Sequence, residues 1–377
     1  MDQQKKNILV DVFYLHVAQT GIKTYMELVC GEIENYSGKD FRFVVVPHKN
    51  RVLNSSFFKG KTSKWRNWLF QLLYFGHKLL WMPICSVWHK ADLVFSPDIL
   101  SPVWAKGIKV SVIHDAFFWE TPAHYHPLWR KIYLSVLGIS IRKKARILTV
   151  SNHSKSRIKH FLGENCPPID VVHSGVAFGE YKPDNKLPAP IERPYFLHVG
   201  VMEKRKNLVA LVKAFGIFLE AAKKDFCLVL VGQRGPRETL DDYDAIVAAI
   251  HRHDLHDAVF LPGYVDKQTL NRYYQNAFAY VFPSLNEGFG LPVLEAFSYH
   301  LPVIVSDQDA LKEIGGDAVY VCEDNSKEGI AKALTVMALD EGLRKRLITA
   351  GGSRLKAFSR KKFFISLLDY FKKTLDG

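Results

Sequence analysis

The chain has 377 residues, 48% of them hydrophobic and 24% charged, which excludes a disordered or fibrous protein and leaves room for two globular domains. Its net charge of +13 is lopsided: residues 1–186 hold 26 basic and 14 acidic side chains (26 − 14 = +12), while residues 187–377 hold 25 and 24 (+1). A basic surface attracts nucleic acid, anionic lipid or a phosphorylated substrate. No nucleic-acid-binding motif accompanies it, so a nucleic-acid partner is not expected.

Five cysteines (Cys30, Cys85, Cys166, Cys227 and Cys322) are scattered and odd in number, which argues against a disulfide framework or a zinc site and for a reducing compartment. The opening MDQQKKNILVDVFYL reads as a first strand rather than a signal peptide, so a cytoplasmic protein is expected. Asn7–Tyr14 is that strand, His16–Gly21 a loop, and Tyr25, Leu28, Val29 and Ile33 lie at helical spacing. Phe41–Val46 is the next strand. The stretch Lys49–Lys90 follows, and no acidic residue occurs between Asp40 and Asp92. Trp65, Trp68, Leu69, Leu72, Gly76, Leu79 and Leu80 fall at helical spacing there, interleaved with Lys61, Lys64, Arg66, Gln71 and Lys78. Two readings stay open. Such a helix sits in an anionic lipid interface, or its aromatic stripe packs on the domain core. Gln71, His77, Lys78 and Pro83 argue against a membrane-spanning helix.

Asp92–Phe95 and Val110–Ile113 read as short buried strands, the second ending in His114-Asp115 at the edge where open α/β sheets bind ligands. Ile147–Val150 precedes a helix with Ser151 as N-cap. The proline-rich Tyr181–Pro194 suits a linker and a hinge. A second domain opens with strand Tyr195–Val199, a basic turn containing Lys204-Arg205-Lys206, and a helix to about Ala222; Phe226–Val231 and Val259–Leu261 are further strands.

The organising stretch is Ser284–Phe297, SLNEGFGLPVLEAF, between the apolar runs Ala279–Phe282 and Leu301–Val305. A strand–loop–helix–strand unit places the loop at a strand's carboxyl end, with Pro292 at the first helical position. Gly288 and Gly290 let backbone approach a ligand, and amides at a helix start suit phosphate. Glu287, on the loop, and Glu295, in the first helical turn, are acceptors matched to vicinal hydroxyls. Donors for phosphate beside acceptors for hydroxyls point to a sugar nucleotide.

This segment resembles the E-x7-E signature of glycosyltransferase family 4, retaining enzymes of the GT-B fold, in which two Rossmann-like α/β domains face each other across a cleft. The resemblance spans nearly the whole chain, is strongest from Phe196 to Leu311 and weakest over 49–90. It implies an N-terminal acceptor-binding domain over 1–186, a nucleotide-sugar-binding domain over 187–360, and a terminal helix, 361–377, crossing back to the first domain. It puts donor-sugar hydroxyls on Glu287 and the ribose on Glu295, with Gly288, Phe289, Gly290 and Leu291 between them. Arg205 and Lys206 neutralise the diphosphate. Gly21 stands where the family often has a Gly-Gly pair, His114 meets the donor sugar with Asp115 beside it, and Gly263-Tyr264-Val265 lies against the base. The implied reaction moves a hexose, with a lean to mannose, from a GDP- or UDP-linked donor with retention, in cell-surface polysaccharide or lipopolysaccharide assembly. The acceptor expected is a glycan or lipid-linked molecule, and on the first of the two readings of residues 49–90 it is met at an anionic membrane face through that segment. No Asp-x-Asp sits in a metal-binding context, so neither metal nor cofactor is expected. A sugar-nucleotide epimerase, a phosphorylase and a non-catalytic membrane-surface protein are the alternatives.

Overall fold

The computed structural model describes residues 5–18, 20–55, 57–58, 64–176, 189–222, 225–235 and 238–377. It divides into two compact units, Met1–Ala177 with Ser359–Gly377, and Phe178–Phe358. Most of the proline-rich segment read as a hinge, residues 181–188, lies outside the described residues.

In the first unit six parallel strands, β1 (Lys6–Asp11), β2 (Phe41–Val46), β3 (Leu93–Ser96), β4 (Ile108–Val112), β5 (Ala145–Thr149) and β6 (Ile169–Val171), lie in the order β2-β1-β3-β4-β5-β6. The strands are short apolar runs because both sheet faces are covered by helices. Strand order reverses at β1 and β3, the crevice where open sheets accept ligands beyond their carboxyl ends. The last helix, Arg360–Asp376, belongs to this unit, where Phe371 meets Phe41, Phe43 and Phe95 edge-on or tilted.

The stretch Lys64–Trp88 is one helical rod whose middle turn, His77–Trp81, is π-helical. At 1.5 Å per residue it is roughly 35 Å long. Its buried face carries Phe70, Tyr74, His77, Lys78, Met82 and Cys85. Its other face exposes Trp65, Trp68, Leu72, Leu80, Trp81, Ile84 and Trp88, with Trp68 77% and Trp88 81% exposed. The stripe of tryptophans and leucines therefore does not pack on the core. Lys78 was grouped by sequence with the rod's surface bases and is instead fully buried, four residues after Tyr74 and eight after Phe70 on the same inward face. Among the described residues no helix is long and apolar enough to cross a membrane.

The second unit has strands β7 (Tyr195–Val199), β8 (Cys227–Val231), β9 (Val259–Gly263), β10 (Ala279–Phe282), β11 (Val303–Val305) and β12 (Val319–Val321) in the order β12-β11-β10-β7-β8-β9, all parallel. Here the order reverses between β7 and β10. A core of Phe196, Leu211, Phe215, Phe218, Leu228 and Leu334 packs under the helices Leu208–Ala222 and Lys327–Leu339. The helix after β10 runs Leu291–Ser298, so Pro292 is its second residue rather than its first. Glu295 accordingly sits in the second turn rather than the first, where the N-terminal amides are out of its reach.

Candidate functional site

At the reversal point of the second unit, the loops after β7 and β10 are stitched together. The amide of Leu285 donates to the Arg205 carbonyl at 2.7 Å, and Ser284 Oγ lies 3.1 Å from the same oxygen. Residues Lys204–Lys206 form a 3-10 turn closed by Asn207 in the left-handed region, which asparagine tolerates better than most residues. The result sets three donors on one carboxylate oxygen. Arg205 Nη1 lies 2.8 Å, Lys206 Nζ 2.5 Å and Ser284 Oγ 2.6 Å from Glu287 Oε1. Arg205 also donates to Glu203 Oε2 at 2.8 Å, and Gln308 Nε2 to the Glu287 carbonyl at 3.2 Å.

Burial alone would raise the Glu287 carboxyl, but Lys206 and Arg205 overrule it and hold the group at about 2. Burial likewise draws Lys206 below the ordinary lysine value, with Glu287 pulling the other way. An ionised carboxylate between two fixed cations in a mostly dry place is a preorganised electrostatic site.

Glu295 has the opposite environment. Burial pushes its carboxyl up to about 7, and the hydroxyl of Tyr274, 3.2 Å from Oε2, only partly offsets it. Between the two acids, Gly290 takes a φ of +112°, where a Cβ would stand 2.8 Å from Leu311 Cδ2. Phe289 was expected among the donor-binding residues. Its ring is buried against Phe358 rather than presented to a ligand. Gly288 and Leu291 are partly buried.

The carboxyl ends of β8 and β9 complete this edge. Gly232, at φ +151°, passes so close to β7 that a Cβ would come within 1.8 Å of the Gly200 oxygen. Its amide donates to the Gly263 carbonyl at 3.0 Å. Tyr264 is 82% exposed beside it, and Val265 is partly buried.

In the first unit His114 and Asp115 follow β4. His114 Nε2 is 3.1 Å from the Pro97 carbonyl, so that nitrogen carries the proton. Burial lowers the imidazole to about 4, which makes it neutral at pH 7. Tyr25 meets its ring edge-on at 4.9 Å. Asp115 Oδ1 accepts the Phe117 amide at 3.1 Å. Gly21 lies within the helix Thr20–Glu34, not in the loop before it, because the 3-10 turn Phe13–His16 takes up the connection. Sequence reasoning missed Ser284, Gln308 and Tyr274. All three are neutral polar residues whose partners are set by tertiary contact.

Residues 182–354 match the family described as glycosyl transferases group 1. The chain is 29% identical over 273 residues to the O-antigen chain mannosyltransferase B of Escherichia coli, covering 70% of each chain. It is 26% identical over 314 residues to the O-antigen chain mannosyltransferase RfbU of Salmonella typhimurium, covering 80% of this chain and 78% of that one. Among solved structures it is similar to the sucrose-phosphate synthase of Thermosynechococcus elongatus, with a TM-score of 0.75 at 17% identity over 98% of this chain and 99% of that one. The two six-stranded parallel units have the GT-B fold class.

Proposed function

We propose that this glycosyltransferase, whose group 1 domain spans residues 182–354, belongs to the retaining, metal-independent family 4. It transfers a mannosyl residue from a nucleotide diphosphate donor, GDP-mannose before a UDP-linked sugar, to a lipid-linked glycan in O-antigen assembly. The observation that carries the reading is the convergence of Arg205, Lys206 and Ser284 on Glu287 at the strand-order reversal of the second unit. The relatives named as O-antigen mannosyltransferases support the sugar and the pathway class.

In the proposed reaction the anomeric carbon loses its bond to the β-phosphate oxygen. It gains one to an acceptor hydroxyl on the same face, and the hydroxyl proton passes to the leaving phosphate. Charge builds on that phosphate, and Arg205 and Lys206 supply the fixed positive charge it needs. Glu287 positions sugar hydroxyls and keeps the two cations apart from each other's repulsion. Glu295 accepts from the ribose, backbone at Gly263, Tyr264 and Val265 borders the base, and His114 offers Nδ1 to a donor-sugar hydroxyl.

Calorimetric titration with GDP and with UDP in EDTA tests the reading. Binding of one of them, weakened in Glu295→Ala, is the expected result. Binding of neither overturns it.

The proposal includes peripheral attachment to the inner membrane face through the exposed ridge of the Lys64–Trp88 rod. Trp104 is 54% exposed on the loop after β3, whose Lys106 donates its amide to Ser86 Oγ on the rod's buried face at 2.9 Å. Tryptophans and leucines on a chain segment free of acids suit an anionic interface. Vesicles containing anionic lipid are expected to co-sediment the protein better than neutral ones. Trp68→Ala with Trp88→Ala should weaken this by roughly tenfold or more. Binding indifferent to lipid charge and to both tryptophans would reject the attachment.

A further inference from the structure

A group of buried charges fills the strand-order reversal of the first unit, the place an open sheet ordinarily keeps for ligand. Asp11 ends β1, Asp98 follows β3, and the ammonium of Lys78 stands 2.8 Å from Asp11 Oδ2 and 2.8 Å from Asp98 Oδ1. His77 Nε2 is 2.9 Å from Asp11 Oδ1, and the Tyr74 hydroxyl donates to Asp98 Oδ2 at 2.5 Å. Asp11, Asp98 and Lys78 are each at most 2% exposed.

Stability alone is a poor reason for such a group. Desolvating two carboxylates and an ammonium costs several kcal/mol per ion, and apolar residues of the same volume serve a core as well or better. The helix carries a π turn over His77–Trp81 at this point, with His77 and Lys78 inward and Leu79, Leu80 and Trp81 outward.

What the group touches gives it a second role. Asp98 follows Pro97, whose carbonyl takes the His114 Nε2 proton, and the Asp98 carbonyl accepts the Val112 amide at 3.2 Å. Asp11 Oδ1 accepts the Phe13 amide at 3.0 Å, and the Phe13 ring stacks on His77 at 4.4 Å. That starts the turn leading to the helix that carries Gly21.

We propose that Lys78 is a positioning residue for the transfer reaction: by tying Asp11 to Asp98 it fixes the Pro97 carbonyl that orients His114 and the Phe13 turn that leads to Gly21. This rests on the reading of His114 as a donor-sugar contact. It adds a residue that touches neither donor nor acceptor.

The test is Lys78→Met in the full chain, read in three ways. Nucleotide affinity, carried by second-unit residues, should stay within about twofold. The rate constant kcat should fall by about a hundredfold, the scale for misplacing a contact group by an ångström. The imidazole resonance of His114, identified by its loss in His114→Gln, should move. If Lys78→Met does not fold, Tyr74→Phe removes one hydrogen bond from Asp98 at nearly constant volume, and a smaller fall, about tenfold, with a moved His114 resonance is expected. A folded variant with wild-type kcat overturns the proposal, and so does a lowered kcat with the His114 resonance unmoved. A resonance that moves in a protein whose wild type transfers no sugar leaves the Lys78 clamp standing and rejects the function instead.

Discussion

Glu287→Ala is expected to lower kcat by roughly a hundred- to a thousandfold, the range for removing one preorganised electrostatic group, while affinity for free GDP or UDP holds or rises. The two effects separate because Glu287 does two things. With its carboxylate present, Arg205 and Lys206 are partly neutralised before any ligand arrives, since both lie within 2.8 Å of Oε1. Removing it takes away the carboxylate that both cations share, while Arg205 keeps Glu203, and so strengthens, or at least preserves, binding of the leaving group. Catalysis needs the cations aimed at the charge that develops on the phosphate, and the donor sugar held against them. Alanine removes the common anchor of Arg205, Lys206 and Ser284 in one step. It also removes the carboxylate in contact with a nearly buried ammonium that stands beside a guanidinium, which draws Lys206 further below its ordinary value. Steady-state rates with saturating donor, set beside calorimetric nucleotide titration, distinguish the cases. Loss of nucleotide affinity in step with kcat would mean that Glu287 is only a structural anchor for the turn.

Much of the second unit was legible because its strands are buried on both faces. Tyr195–Val199, apolar but for His198, and Ala279–Phe282, apolar throughout, each coincide with a strand. Positions between such strands follow from the parallel topology. That brought Arg205, Lys206 and Glu287 to one edge although more than 80 residues separate the first from the last. The rod Lys64–Trp88 was legible only in part. Periodicity shows that a helix has two faces but not which is covered when both are rich in aromatics. Here Phe70 and Tyr74 are inside while Trp68 and Leu72 are outside. Lys78 falls four residues after Tyr74 and eight after Phe70, on the inward face, but a lysine in a basic, aromatic stretch reads as surface until folding brings Asp11 and Asp98 to it. Ser284 and Gln308 gave no signal beyond their composition. A hydroxyl three residues before a glutamate is unremarkable until the chain folds it onto Oε1.

The nucleotide affinity of this protein is expected to rise about tenfold between pH 6 and pH 8 and to level off above. Glu295→Gln should remove that dependence and lower the plateau by about ten- to a hundredfold, the worth of hydrogen bonds to a charged group. Glu295 stands near 7 in the folded chain against an ordinary 4.5, because burial disfavours its charge. Ribose hydroxyls donate best to the ionised form, so binding selects the carboxylate. At pH 6 a group with a pKa of 7 is about one-tenth ionised, and at pH 8 about nine-tenths. Titrations at pH 6.5 in buffers of different ionisation enthalpy should therefore register a proton released on binding. The sign for stability runs the other way. A raised acid binds its proton more tightly folded than unfolded, so its contribution is full below 4.5 and is lost as pH rises towards 7. Glu287, held at about 2 by its cations, contributes above 4.5 and loses that contribution as pH falls towards 2. Two glutamates eight residues apart in one motif thus have opposite pH signatures, and of the two Glu295 is the one that titrates near neutrality. A flat affinity profile from pH 6 to 8 in the wild type would remove Glu295 from the ribose and leave its carboxyl with Tyr274.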